Sequence, residues 1–316
     1  MALPALAEEG ADVLVLAWLA PLVEMAGIGA RVMPFERGWP GWRSAVRRLR
    51  AGRYERGTLL SAAFSAAWLF RWGGVRHLRG TATDGRSWLL NERIPREALR
   101  GHHRIDQYRM LLGREAGAEP RLPALTPPPE ELEGWRTRMG GAAGPLVGFF
   151  PGSNAPARRW PPQRFAEVGK ALASDGARVV VMGAPAEREL TAAVAREVPG
   201  AVDAGGSTDL PGLAALLSLC DLVVTNDTGP MHVAAAVGTP TVSLWGPSDP
   251  DETAPPGVRH ETVSTGDLPC RPCLKNVCPR SGRGTVLPQA HEECMALIEV
   301  ERVLRAARRT MEAGAR

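Results

Sequence analysis

The 316-residue chain is 44% hydrophobic and 23% charged and has no low-complexity tract, which excludes a disordered polymer and leaves an ordinary globular protein. No run reaches the ~18 consecutive apolar residues of a spanning helix, and a net charge of +4 is too mild for a chain built to coat nucleic acid. At roughly 150 residues per domain, two domains with separate cores are expected.

The opening "MALPALAEEGADVLVLAWLAPLVEMAG" carries Glu8 and Glu9 where a secretory leader carries basic residues, so the expected location is the cytoplasm. Short apolar runs then alternate with helical patterns: "DVLVLA" (12–17), "ARVMPF" (30–35), "WRSAVRRLRAGRY" (42–54), "RGTLLSA" (56–62) and "FSAAWLFRWGG" (64–74). Strands separated by helices of about ten residues predict βαβ units and a parallel sheet. Arg43, Arg47, Arg48, Arg50, Arg53 and Arg56 form the densest basic patch. It reads either as a solvated helix face or as a surface for an anionic partner such as nucleic acid, a membrane surface or a phosphorylated glycolipid. No nucleic-acid-binding motif is present, and no nucleic-acid partner is expected.

"GREAGAEPRLPALTPPPEELEGW" (113–135) is rich in proline and predicts an exposed linker. A second alternating series follows: "PLVGFFPGS" (145–153), "PQRFAEVGKALASDG" (162–176), "ARVVVMGAP" (177–185), "AERELTAAVAREVPG" (186–200), "DLPGLAALLSLC" (209–220), "DLVVTND" (221–227) and "TPTVSLWGP" (239–247). Both halves are therefore expected to be doubly wound, and such sheets bind ligands beyond the carboxyl ends of their strands.

Those carboxyl ends carry the polar residues. After "LVGFF" comes "PGSNAPARRW", where Ser153 and Asn154, the cations Arg158 and Arg159 and a helix start near Pro161–Pro162 make a candidate anion site. After "ARVVVMG", Glu187 is placed to accept from ribose hydroxyls or to favour a helix N-terminus. After "DLVVT" comes "NDTGPMH". Capping accounts for Asp227 and Thr228 but not for Asn226, Asp227, Thr228 and His232 gathered beside Gly229, a residue that lets a ligand approach the backbone. Neither a GxGxxG nor a GxxxxGK[ST] loop is present.

"PGSNAPARRWPPQRFAEVGKAL" and "VVTNDTGPMHVAAAVGTPTVSLWGPSDP" resemble the bacterial heptosyltransferases of glycosyltransferase family 9, type II-like in character, which build the lipopolysaccharide inner core from ADP-heptose. The resemblance is strong over 145–305 and weaker earlier, through "RGTATDGRSWLLNERI" and "HHRIDQYRMLLG". It implies an α/β protein of GT-B fold with two Rossmann-like domains facing a cleft. Residues 1–125 would form the acceptor-binding domain, 126–298 the nucleotide-sugar-binding domain and 299–316 a C-terminal helix. The implied reaction is metal-independent and inverting, with no cofactor, ADP-heptose as donor and an inner-core acceptor. Peripheral contact with the cytoplasmic face of the inner membrane goes with that acceptor. By position, Ser153, Asn154 and Arg158 would meet the diphosphate, Glu187 the ribose, Thr208 the adenine edge, and Asp227, Thr228, Gly229 and His232 the sugar and phosphates. The resemblance puts the catalytic carboxylate in a "GD" turn after a first strand, and Met1 falls just inside the helix beyond that turn. The base is therefore expected ahead of Met1, with the first strand missing and the natural protein longer. The competing expectation is a nucleotide-sugar-binding protein without catalysis, or a transferase of another sugar, and Asp84 and Asp106 are the remaining carboxylates considered.

Cys270, Cys273, Cys278 and Cys294 lie within 25 residues, with His291 close by. The spacing admits reduced packing thiols, a structural metal or redox pairs, and the expectation taken is that no metal is bound. Cys220, inside "LLSLCDLVV", is expected as a buried small hydrophobe.

Overall fold

The computed structural model describes residues 11–117, 124–141, 143–256, 259–266, 268–279 and 293–313. Inter-residue contacts divide the chain into two compact units, Met1–Pro123 and Ala124–Arg316.

In the N-terminal unit the elements run β1 Val13–Leu16, α1 Ala20–Met25, β2 Val32–Phe35, α2 Trp39–Gly52, β3 Arg56–Leu59, α3 Phe64–Trp72, β4 His77–Thr81, β5 Glu92–Ile94 and α4 Arg104–Leu111. Every pairing is parallel, as the alternation of strands and helices requires; β1 pairs with β2, and β3, β4 and β5 form a separate sheet. Helix α2 begins after Gly38, whose φ of 89° suits glycine, with Pro40 in its first turn, where the missing amide is no loss. It buries Ala45, Val46 and Leu49, leaving all six arginines of the basic patch exposed. Met33, Leu59, Ala67, Leu69, Val75 and Leu78 complete the core beneath it. Arg86 is wholly buried here and donates to the carbonyls of Ser61, Ala63 and Thr81. Burial lowers its pKa from the usual arginine value, while nearby Asp84 opposes that shift.

In the C-terminal unit the elements are α5 Pro129–Met139, β6 Leu146–Phe150, α6 Pro162–Ser174, β7 Arg178–Val181, α7 Arg188–Glu197, β8 Val202–Asp203, α8 Leu210–Ser218, β9 Leu222–Asn226, α9 Gly229–Ala236, β10 Thr241–Trp245, α10 Pro250–Thr253, β11 His260–Ser264, α11 Glu293–Ala296 and α12 Val300–Glu312. Six parallel strands stand in the order β11-β10-β9-β6-β7-β8. Strands β6, β9 and β10 are buried at every position, which explains their continuous apolar runs. Phe149, Phe165, Leu172, Val224 and Leu244 join Val303, Leu304, Ala306 and Ala307 of α12 in one core.

The expectation of an exposed linker over 113–135 fails at its C-terminal end. Residues 118–123 lie outside the described part, but Pro129 opens helix α5 and Trp135 is buried against α8 near Gly212. Proline stops a helix that precedes it and starts one that follows, so a proline cluster marks a boundary rather than a length of linker.

Candidate functional site

The strand order of the C-terminal unit reverses between β6 and β9, and this reversal is where a doubly wound sheet opens a ligand crevice beyond its carboxyl ends. The loops leaving these two strands carry most of the predicted site residues. They are stapled together by Asn226, which is wholly buried at the end of β9. Its side-chain amide donates to Pro151 O at 2.8 Å, and its Oδ1 accepts from Trp160 N at 3.1 Å. Asn226 thus fixes the shape of the site rather than facing a ligand.

Within the first loop, Ser153 is buried and its Oγ accepts from Ala155 N at 3.2 Å, while Asn154 is exposed. Arg159 donates through Nε to Ser153 O at 2.8 Å, so only one of the two neighbouring arginines is directed elsewhere. That one, Arg158, ends a 3-10 turn over Pro156–Arg158 and sits 3.1 Å from Asp227 Oδ2. The Asp227 side chain is 7% exposed and that of Arg158 30%. Asp227 Oδ2 is compensated by this ion pair, but Arg158 Nε is buried without a hydrogen-bond partner, a costly arrangement unless something else bonds there.

Thr228 is the N-cap residue of α9, yet its side chain makes no capping hydrogen bond. Asp227 is turned to Arg158 instead of the helix, so the capping account of this pair does not hold. Beyond Thr228, Gly229 is exposed with open space where a Cβ would lie. Pro230 has no amide to offer and Met231 N already donates to Thr228 O at 3.2 Å, so what this helix start presents to an anion is the exposed backbone at Gly229. His232 follows, half-buried, in the same helix.

Glu187 arrives from the end of β7. It closes the 3-10 turn Pro185–Glu187 and its Oε2 accepts from Ala184 N at 2.9 Å. The carboxylate lies against Gly152, where any Cβ would collide with it; glycine is required there because two strand-end loops meet at that point. Thr208 is half-buried beyond β8, one residue before Asp209, which caps α8 by accepting from Gly212 N at 2.9 Å. The sheet edge thus carries Ser153, Arg158, Glu187, Thr208, Asp227 and Thr228 at the ends of four successive strands.

A seventh residue on that edge, Ser248, escapes notice in the sequence. It follows β10, is 5% exposed, and its hydroxyl has no hydrogen-bond partner. The signal for it was its place after a strand, in "GPSDP". A second missed feature is His260 on β11, whose ring bonds the hydroxyls of Thr241 and Ser243. Burial, reinforced by His232, pushes its pKa down to about 4.

The carboxylates considered for the base have structural duties. Asp84 accepts from Phe64 N at 2.9 Å, starting α3, and Asp106 accepts from Gly117 N at 3.3 Å. A carboxylate ahead of Met1 lies outside the chain, and His291 lies outside the described residues. Cys220, Cys270, Cys273, Cys278 and Cys294 are not joined in disulfides. Among the described residues no group of three or more His, Cys, Asp or Glu side chains is placed to hold a metal. Burial pushes the Cys294 thiol up to about 11 and Cys220 higher still, and Cys220 fills the core as expected. The cysteine segment is tied over the strand ends: Ala157 N donates to Asn276 O at 3.0 Å and Leu274 N to Pro247 O at 2.9 Å.

The glycosyltransferase family 9 (heptosyltransferase) profile matches residues 42–282. The chain is 31% identical over 265 residues to lipopolysaccharide heptosyltransferase 2 of Salmonella typhimurium, covering 77% of this chain and 76% of that protein. The Escherichia coli protein of the same name matches with the same identity and coverage. Among solved structures, E. coli ADP-heptose lps heptosyltransferase II superposes with a TM-score of 0.77 at 26% identity, covering 96% of this chain and 90% of that one. E. coli heptosyltransferase WaaC with ADP-2-deoxy-2-fluoro heptose shares the fold at a TM-score of 0.64 and 21% identity, covering 83% and 87%. The fold class is that of these GT-B enzymes, and the chain belongs to glycosyltransferase family 9, the heptosyltransferases.

Proposed function

We propose that this glycosyltransferase moves heptose from ADP-heptose to a lipopolysaccharide inner-core acceptor at the cytoplasmic face of the inner membrane, with inversion at the anomeric carbon. The observation that carries the assignment is the ion pair of buried Asp227 with partly exposed Arg158, 3.1 Å apart, beside exposed Gly229 at the start of α9. A nucleoside diphosphate fits this place: it supplies the acceptor that Arg158 Nε lacks, and its ribose hydroxyls supply donors for Glu187. Ser153, Asn154 and Ser248 add polar contacts to the phosphates, Thr208 meets the base, and Thr228, Gly229 and His232 meet the sugar.

In the reaction, an acceptor hydroxyl attacks the anomeric carbon from the face opposite the leaving group. The new C–O bond forms as the bond to the diphosphate oxygen breaks, and ADP departs with the electron pair. Charge grows on the diphosphate, where the Arg158 guanidinium is already oriented. Preorganised donors of this kind are worth about 3–4 kcal/mol each in comparable sites. Asp227 holds the Arg158 guanidinium in position, and the hydroxyl proton passes to a general base.

The test is ADP release from ADP-heptose, with donor binding measured in parallel, for Arg158→Ala and Asp227→Ala. Arg158→Ala is expected to lower turnover about a hundredfold to a thousandfold, and Asp227→Ala to raise the donor Kd as well. Unchanged turnover and binding in both variants would remove these residues from the donor site.

A further inference from the structure

We infer that the N-terminal unit carries a docking surface for an anionic phospholipid bilayer, formed by a ladder of aromatic rings beside the arginine face of α2. The ladder joins residues of α2, α3 and the 3-10 turn Ser87–Leu89. Trp39 stacks on Trp42 at 5.2 Å, Trp42 meets Trp72 at 5.4 Å, and Trp72 meets Trp68 at 6.0 Å. Trp68 continues to Phe64 at 5.9 Å and to Trp88 at 6.0 Å. These six rings are not a core. Trp39, Trp72 and Trp88 are 62%, 46% and 63% exposed, whereas burial of such rings is ordinarily among the largest contributions a side chain makes.

Charge identifies the occupant. Residues 37–56 hold seven arginines against a single carboxylate, Glu55. Trp39, Arg43, Arg47 and Arg50 follow one another at helical spacing on α2, so rings and cations share a stripe. Arg50 Nε donates to Trp72 O at 2.9 Å, which joins that stripe to the ladder. Exposed indoles with arginines beside them are the composition of a segment that lies in the headgroup region, rings at the acyl boundary and guanidinium groups on lipid phosphates. A sugar platform would also need acids or amides to bond hydroxyls. Segments 37–50 and 64–72 contain no Asp, Glu, Asn or Gln. Asp84 and Asn91, near Trp88, are engaged with Phe64 N and with Arg71 and Leu78 N.

The inference deepens the reading above, in which the acceptor is a membrane glycolipid, and rests on it only for the place of work. The full chain is floated with vesicles of phosphatidylethanolamine and phosphatidylglycerol that contain no acceptor, beside phosphatidylcholine vesicles. Binding to the anionic vesicles is expected, weakening with salt, with tryptophan fluorescence quenched by lipids brominated near the headgroup. Arg43→Gln with Arg47→Gln is expected to weaken binding about thirtyfold at low salt. Trp39→Ser with Trp72→Ser and Trp88→Ser should weaken it roughly tenfold or more, with the far-ultraviolet dichroism of both variants unchanged. No binding to acceptor-free anionic vesicles, or equal binding by wild type and folded variants, would overturn the inference. So would a loss of turnover on a delipidated, water-soluble acceptor as large as the loss of vesicle binding, because the ladder would then read acceptor sugar. Vesicle binding as expected, without heptose transfer, would sink the proposed activity and leave the docking surface standing.

Discussion

In the C-terminal unit the three tryptophans, Trp135, Trp160 and Trp245, are at most 4% exposed, whereas in the N-terminal unit Trp18, Trp39, Trp72 and Trp88 are 46–63% exposed. The buried indoles also find hydrogen-bond acceptors: Trp160 Nε1 donates to Ile298 O at 3.0 Å and Trp245 Nε1 to Ser243 Oγ at 2.5 Å. One residue type therefore does two jobs in one chain. Inside the six-stranded unit it fills volume and ties the 151–160 loop to the end of β9 and to Ile298; on the other unit it faces outward. The difference teaches that an aromatic stripe at helical spacing does not by itself mean a core.

The sharpest way to break this contrast is to remove the same ring from each unit. Trp160→Ala deletes a side chain packed edge-on to Phe165 at 5.1 Å and leaves a cavity beneath the 151–160 loop. The expected loss of stability, read by urea unfolding, is about 3–5 kcal/mol, accompanied by weaker donor binding. A loss below about 1 kcal/mol would mean that the core beneath this loop repacks freely.

Asn226→Ala comes next. It leaves Pro151 O and Trp160 N buried without their partner, and each unmet group costs about 1–3 kcal/mol. An expected destabilisation of about 2–4 kcal/mol should come with a rise in donor KM larger than the fall in kcat, since the staple shapes the binding loops and does not touch the reacting atoms. A fall in kcat alone would place Asn226 in the chemistry.

Much of this contrast was legible in the sequence. The alternation of apolar runs with helices gave both parallel arrangements, and the residues after "LVGFF", "ARVVVMG" and "DLVVT" do lie along one sheet edge, because a parallel sheet brings all carboxyl ends to the same side. Other features depend on pairs that no local pattern contains. Asn226 looked like a ligand contact because its partners, Pro151 and Trp160, lie more than sixty residues away. Thr228 looked like a cap because cap chemistry and ligand chemistry use the same hydroxyl. The two-residue strand β8 is too short to leave a periodicity, and the aromatic ladder was hidden because Phe64, Trp68 and Trp72 recur every four residues, the ordinary signature of a helix face turned inward.

His260 sharpens the comparison through pH. Its pKa in the folded chain lies near 4, against about 6.5 when unfolded. Above about pH 6.5 both states are neutral and the group has no influence. Between about 6.5 and 4 the unfolded chain takes up a proton that the folded chain refuses, so stability falls as pH falls, by up to about 3 kcal/mol. Urea unfolding at pH 7 and pH 5 should show this slope in the wild type and a shallower one in His260→Gln. Equal slopes would assign the acid sensitivity to other groups.

The smallest expected effect is the most informative about the outward rings. Trp88→Ser removes a side chain 63% exposed whose ring contacts are an edge-on one with Trp68 at 6.0 Å and a tilted one with Phe64 at 6.3 Å. An aromatic pair adds about 0.5–1.5 kcal/mol beyond area burial, and removing an exposed ring returns little apolar surface to water, so a cost below about 1 kcal/mol is expected for the unfolding of the isolated, vesicle-free protein. Hydrophobic surface kept in water at so little benefit to the fold has to be explained by something outside the fold. A cost of about 3 kcal/mol or more would reverse this reasoning: the ladder would then be a structural element of the N-terminal unit, and the two units would use tryptophan alike.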